Sequence, residues 1–308
     1  MNGLRYLVGI QSADGTAQTS DMSLLSATSY NISPKTNKVS SQAIGSGRWE
    51  RDGFISKLDV NGDVNIEANM GQLDILLQGA GFKGTTQEEN TEFLPDKFEK
   101  YLTFAMDIED EDISECAQDC LVNTLKISAQ MESFVTVSAS VIGKQHTINE
   151  HKLSIEPKIP KGESLICLGA VLKESGTDQT AKIESVDLTI DNKLEGKAAL
   201  NSIYNKVLRQ SDRGSVTLSI SFNSFDKESY KKGHELLKKN SSYAVELLFA
   251  ESTDATKLIK IIMPNVKLSQ APETKDMERG GGMTKELTAY YDTAIKSPLK
   301  ITFENYSK

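Results

Sequence analysis

A similar pattern of residues occurs near the start of each half of the chain. Leu4–Thr19 reads LRYLVGIQSADGTAQT and Leu165–Thr180 reads LICLGAVLKESGTDQT, so both contain a short apolar strand and the string GT-x-QT. The same order of patterns then follows in each half: a strand, a long excursion rich in turn-forming residues, an alternating strand, a short amphipathic helix and further strands. The sequence therefore predicts a strand-rich unit that was copied in tandem.

The length of the chain and one segment between the repeats predict where the units divide. A chain of 308 residues has room for two domains of about 150 residues each. The segment NEHKLSIEPKIPKGE (149–163) contains two Pro and has no helical period, which is typical of a linker. We predict a first domain at 1–150, a linker at 151–164 and a second domain at 165–308.

Hydrophobic periodicity predicts the main elements within each unit. Leucines at helical spacing predict a helix at Gly71–Gly79, and an amphipathic pattern predicts another at Lys227–Lys239. LVNTLKISAQ (121–130) and FVTVSASVIG (134–143) alternate with period 2, which predicts a half-buried antiparallel pair. The polar stretch Lys83–Lys97 is predicted to be a loop.

The overall charge and hydropathy exclude several classes of partner. The formal net charge is -8 and the pI is about 5.2, so the chain repels polyanions and is not expected to hold DNA by counterion release. No apolar run approaches the roughly 18 residues of a membrane span. The apolar stretch Tyr6–Ile10 is too short for a secretory signal. We expect a chain that is made and kept in the cytosol, with no membrane partner.

No motif predicts a catalytic, cofactor-binding or metal-binding site. The three Cys and three His lie in unrelated sequence contexts, without a disulfide framework or a zinc-ligand spacing. DVNGD (59–63) resembles part of a calcium loop, but Met70 stands where the acidic ligand is required, so a hairpin turn or bulge is favoured. GAGFKG (79–84) lacks the Lys-Ser/Thr of a phosphate loop. We expect no enzyme activity.

Two long excursions occupy the same place in the two halves and form the main functional signal. We name Ser33–Gly53 the first arm and Asp191–Gly214 the second arm. Loops of this length in compact domains usually have a function. Basic residues and apolar anchors together predict arms that dock on a neighbouring subunit; two mobile surface loops are the alternative. The candidate contact residues are Lys35, Lys38, Ile44, Arg48, Trp49, Arg51, Lys197, Leu200, Ile203, Tyr204, Arg209 and Arg213.

Three segments, together with the order of elements, resemble the major tail tube protein of long-tailed bacteriophages. They are QAIGSGRWERDG (42–53), KLDVNGDVNIEANMGQLDILLQGAG (57–81) and LVNTLKISAQMESFVTVSASVIGK (121–144). The resemblance implies a mainly β fold. It implies two tandem, similar β-sandwich or barrel domains, each with a short flanking α-helix and a long projecting loop.

The resemblance also implies a structural function in the virion tail. Similar proteins form rings that stack into a tube around the tape-measure protein, and DNA leaves through the bore without specific binding. A duplicated chain would build such a ring from three subunits with pseudo-sixfold symmetry. Further expected partners are the tail terminator and the baseplate or tip proteins, and assembly is expected in the host cytoplasm.

Other classes of protein stay open from the sequence. The chain could be another ring component of the tail, such as a hub or terminator, which would close a ring without forming a filament. It could also be a two-domain β-sandwich module that binds carbohydrate. Such a module usually exposes clustered aromatic residues, whereas the aromatic content here is 6%.

Overall fold

The computed structural model describes residues 3–40, 53–252, 254–275 and 281–306. Most of these residues lie in antiparallel β-strands, so the prediction of a mainly β fold is confirmed. The elements of the first half are β1 (Leu4–Ile10), β2 (Ser23–Leu24), β3 (Ala27–Tyr30), β4 (Ser33–Ser40), β5 (Gly53–Glu67), α1 (Met70–Gly79), β6 (Phe82–Gln87), β7 (Asn90–Pro95), β8 (Leu102–Ile108), β9 (Ile113–Gln130), β10 (Thr136–Gly143) and β11 (Gln145–Asn149).

The second half repeats much of this order. Its elements are β12 (Leu165–Glu174), β13 (Thr177–Asp178), β14 (Ile183–Asp191), β15 (Leu194–Ala198), β16 (Asn205–Gln210), β17 (Ser215–Phe222), α2 (Lys227–Lys239), β18 (Tyr243–Glu251), β19 (Leu258–Leu268), β20 (Glu273–Lys275), β21 (Gly282–Ala289) and β22 (Lys300–Glu304). Each α-helix follows a long alternating strand, β5 in the first half and β17 in the second.

Both helices form where the periodicity predicts them, and each begins at a side-chain cap. The Asn69 side chain accepts a hydrogen bond from the backbone N–H of Gln72 at 2.8 Å and caps α1. The Asp226 carboxylate caps α2 by accepting from the backbone N–H groups of Glu228 and Ser229. A hydrogen bond from Lys182 and these backbone donors lower the pKa of Asp226 to about 2.

A central sheet runs through both halves. Its strands lie in the order β3, β5, β10, β9, β14, β17, β21 and β19, and β4 continues the β3 edge alongside β5. Every neighbouring pair is antiparallel. Apart from local shifts at Ala27/Ser29, Ser140/Val141 and Ile183/Ser185, the register stays in phase across the sheet. The sheet therefore has two chemically distinct faces.

The apolar face of the central sheet points into the molecule. Two rows of residues cross this face side by side, and each row contains one residue from every strand. The first row is Ala27, Ile66, Val137, Ile127, Leu188, Leu218, Leu287 and Leu268, and the second is Tyr30, Val64, Ala139, Leu125, Ile190, Val216, Ala289 and Val266. Apart from Ala27 and Tyr30, which are half-buried, all of these residues are buried.

The row between them lies on the opposite, polar face. It consists of Ser29, Asn65, Ser138, Lys126, Thr189, Thr217, Thr288 and Lys267, which are half-buried or exposed. The first four residues come from the first half of the chain and the last four from the second half. Lys126 on β9 and Lys267 on β19 hold the same place in the two sets.

Further strands cover the apolar face. In the first half, β2, β1, β8, the N-terminal part of β9 and β11 lie side by side. In the second half, the order is β12, β18, β19, β22, β7 and β6. Strand β7 belongs to the first half but pairs with β22 of the second. One hydrophobic cluster accordingly contains buried residues of both halves, and the division into domains at 151–164 stays a prediction.

Two local predictions were wrong. The stretch 83–97 is largely the β6–β7 hairpin, because β7 is held in register by β22, far away in the sequence. DVNGD (59–63) contains no turn and lies inside β5. The break in strand structure falls on the neighbouring edge instead, between the end of β3 and the start of β4. There the backbone oxygen of Asn31 would lie 2.5 Å from a Cβ at Gly62, so a glycine is needed at this position of β5.

Candidate inter-subunit surfaces

The two halves of the chain are joined by strand pairing between β9 and β14, which we name the internal joint. Its register runs from Ser185 opposite Gln130 to Asp191 opposite Thr124. The Asp187 carboxylate accepts a hydrogen bond from Ser128 at 2.5 Å and lies 3.1 Å from the Lys126 ammonium. Both charged side chains are about two-fifths exposed, so the backbone ladder and the apolar rows contribute most of the stability of the joint.

Both edges of the central sheet are open within the described part of the chain. At one edge, β3 and β4 pair only with β5, and most residues of β4 are exposed. At the other edge, the end of β19 and the short β20 both pair with β21. On their other side, Val266 lies opposite Tyr243 of β18, and among the described residues those of β19 after Val266 have no strand partner there. Unpaired strand edges of this kind are templates for pairing with another chain.

In its described residues, the first arm consists of β4 and the first residue of β5, and β4 pairs with the start of β5 as the two strands of a β-hairpin. Lys35 and Lys38 are exposed on β4. Val39 and Phe54 lie opposite each other on the hairpin, and 82% of Phe54 is exposed. The other candidate residues of this arm, Ile44, Arg48, Trp49 and Arg51, lie outside the described residues.

The second arm contains the β15–β16 hairpin and folds back onto the first half of its own chain. The backbone N–H of Leu58 donates to the carbonyl of Ile203 at 2.7 Å, and Tyr204 forms a bridge with Leu58. The Asn205 amide donates to Asp59 at 3.2 Å and to the carbonyl of Gly143 at 3.3 Å. The sequence alone did not identify these contacts with the chain's own first half.

The exposed side of the second arm carries the remaining candidate residues. Leu200 at its tip is fully exposed, and about half of Ile203 is exposed. Lys197 and Arg209 both form surface ion pairs with Glu195, at 3.0 and 3.1 Å. Arg213 lies in an exposed turn after β16. Docking of either arm on a neighbouring subunit stays a prediction.

The Asp59 carboxylate at the base of the second arm is stabilised by several hydrogen bonds. Burial raises the pKa of Asp59, but hydrogen bonds from Lys57, Asn205 and Asn37 outweigh this effect and lower it below its usual value. A Cβ at Gly196 would lie 2.4 Å from the Asn205 side chain, so only glycine allows this close approach. The contact between the second arm and the first half is thus closely fitted.

The two histidines on and just after β11 each pair with one carboxylate. His146, whose side chain is 7% exposed, is 3.5 Å from Glu115, and the exposed His151 is 2.9 Å from Asp112. Among the described residues, no group of three or more His, Cys, Asp or Glu side chains could hold a metal ion. Burial raises the pKa of Cys116 to about 11, so its thiol is neutral at physiological pH.

Neither helix in the described part of the chain has the length and hydropathy needed to cross a bilayer.

In the described part of the chain, the central sheet is thus apolar on one face, polar on the other and unpaired along its outer strands. A family model described as "Phage tail tube protein" matches residues 2–288. The chain therefore belongs to the phage tail tube protein family, whose members are structural proteins of the virion tail. A comparison with curated proteins found no match.

Proposed function

We propose that this protein polymerises into stacked rings that form the phage tail tube, the conduit for DNA ejection around the tape-measure protein. The observation that carries this proposal is the internal joint. It already joins one four-strand set (β3, β5, β10, β9) to the next (β14, β17, β21, β19) in phase. In the order of the two sets, β3 at one open edge corresponds to β14, and β19 at the other open edge corresponds to β9. The β19 edge of one chain can therefore pair with the β3 edge of the next chain as β9 pairs with β14.

The polar face of the central sheet is suited to line the bore. Besides the polar row with Lys126 and Lys267, this face carries the acidic residues Asp63, Glu67, Asp187, Asp191 and Glu286. Toward the first arm, Lys35, Lys57 and Asp59 lie on the same face, so acidic residues outnumber basic ones by six to four. An acidic lining repels the phosphate backbone, so DNA can slide through without being held. The tape-measure protein would occupy the same bore before ejection.

The duplication sets the expected number of subunits. Two four-strand sets per chain give six sets in a ring of three chains, with pseudo-sixfold symmetry. We expect native mass spectrometry of short assemblies and image analysis of tubes to show three chains per ring. Six chains per ring would contradict this prediction, and closed rings that never form filaments would favour a hub or terminator function instead.

The register of the internal joint predicts which residues meet between chains. Lys126 lies opposite Thr189 in that joint, and Lys267 and Ser29 are their counterparts at the open edges. With Cys167→Ser as background, Ser29→Cys combined with Lys267→Cys should form disulfides between chains in assembled tubes. Directly opposed residues of antiparallel strands lie about 4.5–5.5 Å apart at Cα, within disulfide range.

Two control pairs make the cross-linking interpretable. Lys126→Cys with Thr189→Cys should form a disulfide within one chain, which leaves the mass on a non-reducing gel unchanged. Ser29→Cys with Thr217→Cys should form none between chains, because Thr217 lies inside the sheet with partners on both sides. If the Ser29–Lys267 pair stayed uncross-linked in tubes while the internal pair oxidised, the proposed register would be wrong.

Terminator and baseplate or tip proteins are the partners we propose for the two ends of the tube, and the host cytoplasm is the proposed place of assembly. Terminal rings expose the same surfaces that pair with neighbouring rings within the tube. A partner at either end would therefore have to mimic one face of a ring.

A further inference from the structure

An open apolar groove lies beside the internal joint. Its volume is about 710 Å³, and its walls come from the β9–β10 turn, β12, the start of β14 and β18. Met131 and Phe134 on the turn are about half exposed there. Among the other lining residues are Ile166, Cys167, Ile183 and Phe249. Exposed apolar residues grouped beside polar rims make this groove a candidate contact site for another molecule.

The groove and the first arm lie at opposite ends of the central sheet. Strand β5 begins at Gly53 in the arm and ends at Glu67, which lies opposite Thr136, just after the turn that lines the groove. At about 3.3 Å per residue, β5 separates the two ends by about 45 Å. When rings stack head to tail, the arm end of one ring faces the groove end of the next.

The two surfaces are complementary in chemistry. Strand β4 of the arm carries Lys35 and Lys38 and no acidic residue. The groove is lined by Glu132 and Glu184, both exposed. Phe54, the residue directly after the first arm and opposite Val39 on β4, is 82% exposed. Its aromatic ring has the apolar chemistry of the groove walls.

We propose that this groove is the receptor for the first arm of a second copy of the chain in the adjacent ring. The inference rests on the proposed ring stacking and adds the surface on which one ring recognises the next. A heterologous contact of this kind does not close on itself, so it extends rings into a tube. The acidic rim orients the basic arm, and burial of the apolar walls stabilises the contact.

Cys167 provides a direct test, because its half-buried thiol lines the groove whereas Cys116 and Cys120 are buried. A bulky maleimide should react with Cys167 in unassembled protein and at least tenfold more slowly in tubes. Protein alkylated before assembly should form rings that do not stack. Equal reactivity in both states, or normal tubes from alkylated protein, would overturn the proposal. If even rings fail to form from untreated protein, the proposed function itself fails.

A second experiment identifies the occupant. p-Benzoylphenylalanine in place of Phe54, activated by light in assembled tubes, should cross-link to peptides containing 129–134 or 166–172 of another chain. Tyr290 and Tyr291 are exposed at the end of the sheet away from the groove, which is the end that carries the arm. Exclusive cross-linking to these two residues would place the arm on a lateral neighbour and contradict the proposal. The same residue in place of Phe225, outside the arm, serves as the labelling control.

Discussion

Deletion of Lys38–Arg51 should leave a folded chain that no longer forms tubes. Among the described residues, the removed part of β4 pairs with the start of β5 alone, and it is largely exposed. The first buried residue of β5 is Val60, well beyond the cut. Asn37 and Lys57 still pair, and residues 52–56 would close the shortened hairpin with a loop length that hairpins accommodate. The deletion therefore removes almost no buried residue from the chain's own core, whereas it removes the segment proposed to contact the adjacent ring.

The measurement combines folding and assembly. Circular dichroism and thermal unfolding of the deletion variant should match those of the parent, while electron microscopy shows no tubes at concentrations at which the parent polymerises. A milder variant, Phe54→Ser, should raise the concentration needed for assembly. Ile159→Ser is its matched control, because Ile159 is 84% exposed but lies far from both arms in the sequence. Normal tubes from the deletion variant would refute the assignment of the arm.

Glu174→Ala should reduce the free energy of unfolding by about 3–5 kcal/mol, because it leaves a buried ammonium group without its partner. Lys285 donates to both oxygens of the Glu174 carboxylate, at 2.9 and 3.0 Å, and both side chains are at most 7% exposed. Lys285 also lies over the Phe222 ring. Burial and the adjacent Glu174 carboxylate raise the pKa of Tyr243, whose hydroxyl lies 3.4 Å from that carboxylate.

Urea unfolding of the unassembled chain measures this effect. The double variant Glu174→Leu with Lys285→Met should recover most of the lost stability, because apolar residues of similar volume replace both charges at once. Lys285 lies next to Ile220 on the apolar face, where a methionine fits the surrounding chemistry. A loss below about 1 kcal/mol for Glu174→Ala would show that water reaches the pair.

Local patterns were sufficient for many elements. The alternation in FVTVSASVIG (134–143) predicted a strand that forms β10 at Thr136–Gly143, and the amphipathic pattern of Lys227–Lys239 predicted α2 with the same bounds. These predictions succeeded because neighbouring residues determine which side of a strand or helix is apolar. The family resemblance, based on segments of both arm and sheet, was confirmed by the match over residues 2–288.

The sequence by itself thus determined the mainly β fold, both helices, the inward and outward faces of the strands and the family. Only the tertiary structure decided that β9 joins β14, that the second arm folds back onto Leu58 and Asp59, and that β7 pairs with β22. The physical reason is that alternation specifies which face of a strand is buried but carries no information about its neighbour. Pairing depends on register and packing between residues far apart in the chain.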